Sequence, residues 1–385
     1  MADALSNLKQ KYPGIAEPLE SIAQLALKKQ THQLSIEILN FLDVAVNSGV
    51  PGVDLIDFFN NFVGQYSSKM SPAVLVKILG RCMAPSDVEG SVGLGLLERH
   101  ASQISKSKDA TVLGKVLTGE IYLKKIKSLA EARTVIDSVS VALEDPIYAL
   151  SVNGSVRGSF HLVASELYLT LGNDLEFYRN LVKFLIYTPI VEISAETLAR
   201  TTKQAAVIAL VHPEINDFGE LLSLPAFSGS SAWIVDFLRS IHFGDFEAFD
   251  RAVRTHTEEL RQESDLLAKI DTSLRRKLTM IALAELAGFQ TNEKNRRLSF
   301  DQISEHCRVP VSEVEELVMT AMGTGGLVEG VIDEVESSVV ITAVKPRILD
   351  VDRLLILKRR IESWADRADE LVQKLTEITP ELLVS

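Results

Sequence analysis

A chain of 385 residues is long enough for two or three domains, and 46% apolar with 24% charged residues is the balance of an ordinary globular protein. A formal net charge of -12 sets up a field that repels nucleic acid and anionic membrane surfaces. Two cysteines, Cys82 and Cys307, exclude a disulfide framework; one chance bridge is an option, and reduced thiols of a cytosolic or nuclear protein fit better.

The start, Met1-Ala2-Asp3-Ala4-Leu5, lacks the basic and apolar regions of a secretory signal. The longest apolar runs, such as Ala205 to Val211, fall far short of the ~20 residues a bilayer span needs. Asn153-Gly154-Ser155 spells a glycosylation sequon that, without such a signal, reads as a turn.

From Ile22 to Phe289 the apolar residues recur three and four apart. Leu34, Ile38, Phe41 and Leu42 do so, then Leu55, Phe58, Phe59 and Phe62, then Val135, Val139 and Leu143. The separators are short and rich in Gly, Pro, Ser and Asn, which predicts helix pairs stacked as a solenoid. Two units carry the pattern best. Phe160 to Leu185 turns at Gly172-Asn173, and Trp233 to Leu260 turns at Gly244-Asp245. In each, glycine ends one helix, the short polar residue caps the next, and aromatics on the second helix pack back on the first. Glu120 to Leu143 is a weaker unit. The period is loose, so the pairs are tetratricopeptide-like, with an irregular helical domain as the other option. Lys269 to Phe289 reads as one long helix closed by Gly288.

Ser299 to Lys345 reads as helix, turn, helix and strand pair, the order of a winged helix. Ser299 with Gln302, and Ser312 with Glu315, spell two capping boxes, and Pro310 stops the first helix. The strand runs are Leu327 to Asp333 and Val339 to Val344. Such a fold usually suggests DNA, but the charges oppose it. Nine acids (Asp301, Glu305, Glu313, Glu315, Glu316, Glu329, Asp333, Glu334, Glu336) against two bases (Arg308, Lys345) give 2 - 9 = -7. The helix that would enter the major groove holds three Glu and no Lys or Arg near its start, and Lys and Arg contacts to phosphate supply most DNA affinity. Short basic clusters flank the module at Arg275-Arg276-Lys277, Lys294 to Arg297 and Lys358 to Arg360. They suit solvated helix faces, an acidic partner or RNA.

In the last helical stretch, Leu349 to Ile378, the residues Leu354, Leu357, Ile361, Trp364, Ala368, Leu371, Leu375 and Ile378 form an unbroken a/d seam. Such a seam must be buried against other helices, this chain's own or, as expected here, a partner protein's. A catalytic reading finds little to build on. Gly90, Gly93 and Gly95 lie in helical sequence with no strand before them, and no phosphate loop or zinc-binding helix motif is spelled. His306-Cys307 is the one close His/Cys pair, with no second pair to complete a metal site.

Several ordered stretches resemble the PCI-domain subunits of the 26S proteasome regulatory-particle lid. They are Phe218-Gly219-Glu220-Leu221-Leu222 with Pro225, Trp233-Ile234-Val235-Asp236, Leu298-Ser299-Phe300-Asp301-Gln302-Ile303, Val314-Glu315-Glu316-Leu317-Val318-Met319, Gly330-Val331-Ile332-Asp333-Glu334-Val335 and Lys345-Pro346-Arg347-Ile348-Leu349-Asp350. The likeness is close over Phe218 to Leu375 and looser before it. It implies a mainly α fold: a right-handed, tetratricopeptide-like helical-repeat arm (1–170), a PCI domain (171–345, with a helical part 171–290 and a winged helix 291–345), and a C-terminal bundle helix (346–385). It implies a non-catalytic scaffold without cofactor or metal, in the cytoplasm and nucleus, working as part of a hetero-oligomer. In that family winged helices line up side by side and C-terminal helices gather in a bundle. The implied partners are other PCI and metalloprotease-like lid subunits and the ubiquitin receptor, with no DNA and no membrane. The wing edge around Val339, Ile341 and Ala343 is the expected strand-pairing surface, and the seam the expected bundle surface. The alternative is a PCI scaffold of another complex, of the signalosome, translation initiation factor three or mRNA-export type, with an RNA-associated role.

Overall fold

The computed structural model describes residues 9, 11–12, 16–28, 30–85, 87–228, 233–262, 270–289, 297–323, 326–345 and 351–378. The chain divides into two compact units, 1–198 and 199–385.

The first unit is helical throughout its described length. Its main helices are α1 (Ala16–Leu27), α2 (Thr31–Asn47), α3 (Gly52–Asn61), α4 (Pro72–Met83), α5 (Gly90–Arg99), α6 (Lys108–Ile121), α7 (Leu129–Glu144), α8 (Gly154–Thr170) and α9 (Asp174–Tyr187). The periodic residues of the sequence are the ones that face inward: Leu34, Ile38, Phe41 and Leu42 of α2 and Leu55, Phe58 and Phe59 of α3 are buried. Phe41 meets Phe58 edge-on with ring centroids 5.3 Å apart, and Phe62 stacks on Phe58 at 5.4 Å. Burying each such side chain stabilises the fold by roughly 1.5–3 kcal/mol.

The turns follow their sequence signals. Gly172 takes φ +71, and Asn173 Oδ1 accepts a hydrogen bond from the Glu176 N–H at 3.1 Å to start α9. Helices α8 and α9, on either side of residues 171–173, pack as one hairpin inside the first unit. The weaker unit, Glu120 to Leu143, takes in only the end of α6 before α7, and the turn between them differs. A π-helical turn, Tyr122–Ile126, ends on Lys127 at φ 60, so a lysine holds the left-handed position that glycine holds elsewhere. Asn153 is the N-cap of α8, and its side chain accepts from the Ser155 N–H. The three glycines at 90, 93 and 95 sit on α5, where Gly93 makes room for Met83 and Ile121.

Helix α10 (Ala195–Val211) carries the division between the units. In the second unit α11 (Trp233–Phe243) and α12 (Phe246–Thr255) form the other predicted hairpin. Asp245 Oδ1 caps α12 by accepting from Glu247 and Ala248 N–H groups, and Phe237 meets Phe249 edge-on at 5.8 Å. Helix α13 (Arg275–Phe289) follows a π-helical turn, Ile270–Leu274. Lys269, the expected start of that helix, lies outside the described residues.

The winged helix comprises β1 (Arg297–Ser299), α14 (Phe300–Cys307), α15 (Val311–Gly323), β2 (Val328–Asp333) and β3 (Ser338–Val344). The sheet is antiparallel in the order β1-β3-β2, with Leu298 opposite Val339 and Val331 opposite Val340. Its core joins Leu298, Ile303, Cys307, Val314, Val318, Val328, Val339 and Ile341 to Ala282, Leu283 and Ala287 of α13. The Ser299–Gln302 capping box forms in both directions, at 3.2 and 3.1 Å. The second capping box is corrected: α15 begins at Val311, so Ser312 falls inside its first turn and not ahead of it. Helix α14 stops at Cys307, where Arg308 takes the left-handed region at φ 55, before Pro310 is reached. Strand β1, only three residues long, carries no periodicity and was not expected. The last helix, α16 (Val351–Ile378), runs for 28 residues.

Candidate protein-docking surfaces

The winged helix shows where its own charges go. On α15, Glu313 and Glu316 are exposed, and Met319 beside them is 53% exposed. The basic residues near the module are largely engaged by neighbours. Arg275 lies 3.0 Å from Asp250 and its guanidinium covers the Phe249 ring. Arg276 donates to Thr320 Oγ1 at 3.2 Å and lies 3.7 Å from Glu316. Arg297 pairs with Asp333 at 3.1 Å across the sheet, and Arg308 lies 3.6 Å from Glu247. Lys277 is buried. Its Nζ donates to the carbonyl oxygens of Ala209 and His212, each at 2.8 Å, and of Leu210 at 3.3 Å, while burial pushes its pKa down to about 7. The cluster Arg275-Arg276-Lys277 is thus two ion pairs and a helix clamp, where the sequence suggested a basic face. Of the second cluster only Arg297 is described; residues 294–296 lie outside the described residues.

Of the expected wing edge, Val339 is paired on both sides, while Ile341 and Ala343 are paired with β2 alone. Strand β3 is central, so Val339 is flanked by Leu298 on one side and Ile332 on the other, and both Val339 and Ile341 are buried in the core. Ala343 is exposed and lies beyond the reach of β1, whose pairing stops at Val340. The physical reason is β1, whose three residues cover one side of β3. Among the described residues the edge open along a full strand is therefore that of β2, where Val331 is 63% exposed.

The C-terminal seam is placed as one face of a continuous helix. Leu354, Leu357, Ile361, Trp364, Leu371, Leu375 and Ile378 are 40 to 75% exposed, and Ala368 between them is exposed too. The stretch 346–350 ahead of it, with the Pro346-Arg347-Ile348-Leu349-Asp350 part of the motif, lies outside the described residues.

Chemistry-bearing side chains are dispersed. Among the described residues no group of three or more His, Cys, Asp or Glu is placed to hold a metal ion. Cys82 and Cys307 are free and buried, and burial pushes both thiols up to about 12. His306 faces solvent while Cys307 faces the core. Among the described residues no helix is long and apolar enough to cross a membrane. What the arrangement offers is surface: a strand edge and a helix with an exposed apolar face. The sequence pattern reveals the helix face, but only the strand order reveals which edge is open.

Comparison with known proteins agrees with this layout. A family model described as PSD13 N-terminal repeats matches residues 19–238, and one described as PCI domain matches 253–343. The 26S proteasome non-ATPase regulatory subunit 13 of Dictyostelium discoideum is 25% identical over 98% of this chain and 97% of its own length. The 26S proteasome regulatory subunit RPN9 of Saccharomyces cerevisiae is 27% identical over 96% of this chain and 95% of its own. A probable rpn9 of Schizosaccharomyces pombe is 31% identical over 67% of this chain and 66% of its own. With a repeat model spanning more than half of the sequence and a PCI domain after it, the chain belongs to the family of the 26S proteasome non-ATPase regulatory subunit 13.

Proposed function

We propose that the chain is a non-catalytic scaffold subunit of the proteasome regulatory-particle lid. It is needed for lid assembly and hence for ubiquitin-dependent protein degradation in cytoplasm and nucleus. Its partners are other PCI and metalloprotease-like lid subunits and the ubiquitin receptor. One observation carries the reading: α16 holds an a/d seam whose residues are exposed from Leu354 to Ile378. Leaving Leu, Ile and Trp side chains in water forgoes roughly 1.5–3 kcal/mol each, a gain that docking against partner helices recovers. The β2 edge, with Val331 outward, is the second surface, suited to strand pairing with a neighbour. The engagement of Arg275, Arg276 and Lys277 within the chain supports protein partners over an RNA-associated role.

The test is incorporation. In cells expressing a tagged chain, Trp364→Ala combined with Leu371→Ala should leave the purified chain with unchanged melting but deplete it from affinity-purified lid, read by native gel and mass spectrometry. Normal incorporation of a chain whose own melting collapses would overturn the reading, since the seam would then serve the chain's own fold.

A further inference from the structure

The charges beside the seam say what kind of helix it takes. Setting Leu354, Ile361, Ala368 and Leu375 at heptad position a puts Leu357, Trp364, Leu371 and Ile378 at d. The g position, directly before each a, is then Arg367 and Lys374 in the described, exposed part of α16, and the sequence repeats the pattern with arginine at 353 and 360. The e position, on the other flank, is Lys358, Ala365 and Val372, with Val372 57% exposed. No acid occupies g or e over Val351 to Ile378. The six acids, Asp352, Glu362, Asp366, Asp369, Glu370 and Glu377, all fall at b, c and f of the heptad.

This distribution decides between two occupants. In a parallel pair of two copies, g of one helix faces the following e of the other, which sets arginine against Lys358, Ala365 and Val372 in turn. In an antiparallel pair g faces g, which sets basic residues against basic residues, arginine against arginine or lysine. Neither arrangement forms an interhelical ion pair; the parallel one sets like charges together at Lys358, and the antiparallel one does so along the whole g row. Self-pairing is therefore disfavoured. A foreign helix with Asp or Glu along the flank of its own apolar stripe meets the basic row with opposite charge, while the apolar e positions widen the stripe for packing in a bundle. Resting on the reading of α16 as a docking surface, we infer that its occupant is an amphipathic helix of a different protein with an acidic flank, and that the basic g row rejects a second copy of this chain.

The full-length chain can be titrated with two labelled synthetic helices of the same 28-residue length, followed by fluorescence anisotropy. Both carry leucine at a and d; one has glutamate at e and g, the other lysine. The glutamate helix should bind, more weakly as salt is added, and the lysine helix should bind about tenfold or more weakly. Arg367→Glu with Lys374→Glu should narrow or invert that preference without altering the melting of the chain. In sedimentation the wild-type chain should be monomeric. Equal binding of both helices would overturn the charge selection while leaving α16 a docking surface. Binding of neither would overturn the docking reading itself. A wild-type dimer that Leu371→Ala dissolves would overturn the rejection of self-pairing.

Discussion

The Nζ of Lys277 sits 2.8 Å from the carbonyl oxygen of His212, one of three backbone acceptors it serves at the C-terminal end of α10. The last carbonyls of a helix lack intrahelical donors and carry the negative end of its dipole, so the Lys277 amino group supplies donors there and, when protonated, also meets the dipole. It also ties α10 to α13, whose Ala282, Leu283 and Ala287 pack into the winged-helix core.

Replacing Lys277 by methionine keeps most of the volume and removes all three donors. The expected loss is about 2 kcal/mol or more, because buried carbonyls are left without partners. Arg276→Met is the matched control. Arg276 is more than half exposed and pairs with Glu316 at the surface, so its loss should cost less than about 1 kcal/mol. Chemical denaturation of both variants checks the contrast.

His161 should make the first unit sensitive to acid. It is buried on α8, its Nδ1 lies 2.9 Å from Asn180 Oδ1, and its ring stacks on Tyr187 at 5.6 Å. Burial, only partly offset by the Asn180 hydrogen bond, lowers its pKa from 6.5 to about 4. As pH falls below 6.5 the unfolded chain takes up this proton while the folded chain resists until about 4. The stability contribution is therefore complete above pH 6.5 and is lost as pH falls through 4, with a slope of up to about 1.4 kcal/mol per pH unit between them. His161→Gln keeps a donor for Asn180 and cannot titrate. The difference between its stability profile and the wild type, followed by denaturation over that window, should show this limb.

Two turn glycines should respond unequally to alanine. Gly172 and Gly244 both hold positive φ, at +71 and +67, so a Cβ costs about 1–2 kcal/mol at either. At Gly172 the added atom meets open space, whereas at Gly244 it would lie 2.8 Å from the Ala282 Cα. A backbone atom cannot step aside, so α13 would have to shift, adding about 1–3 kcal/mol. Melting should rank wild type above Gly172→Ala, and that above Gly244→Ala.

Local signals were sufficient wherever neighbouring residues in the chain decide the outcome. The hairpins at Gly172-Asn173 and Gly244-Asp245, the box at Ser299 and the seam of α16 were all legible, because caps, left-handed turns and helical periodicity act over three or four residues. Ser312 shows the limit of such signals. The spelling of a capping box was present, but α15 begins one residue earlier, and helix ends are decided to within a residue or two by packing.

The sequence by itself determined a mostly helical chain, an acidic winged helix near its end and an amphipathic last helix, since these rest on pattern and charge. Only the tertiary structure decided which strand is the edge. Pairing between Leu298 and Val339, forty-one positions apart in sequence, places β3 in the middle and leaves β2 outermost. It alone decided the fate of Arg275, Arg276 and Lys277, which spell one basic cluster and separate into surface ion pairs and a buried clamp. The reason is common to both cases. Strand order and the partners of a charge are set by residues distant in the chain, and no local period or composition records which of them will meet.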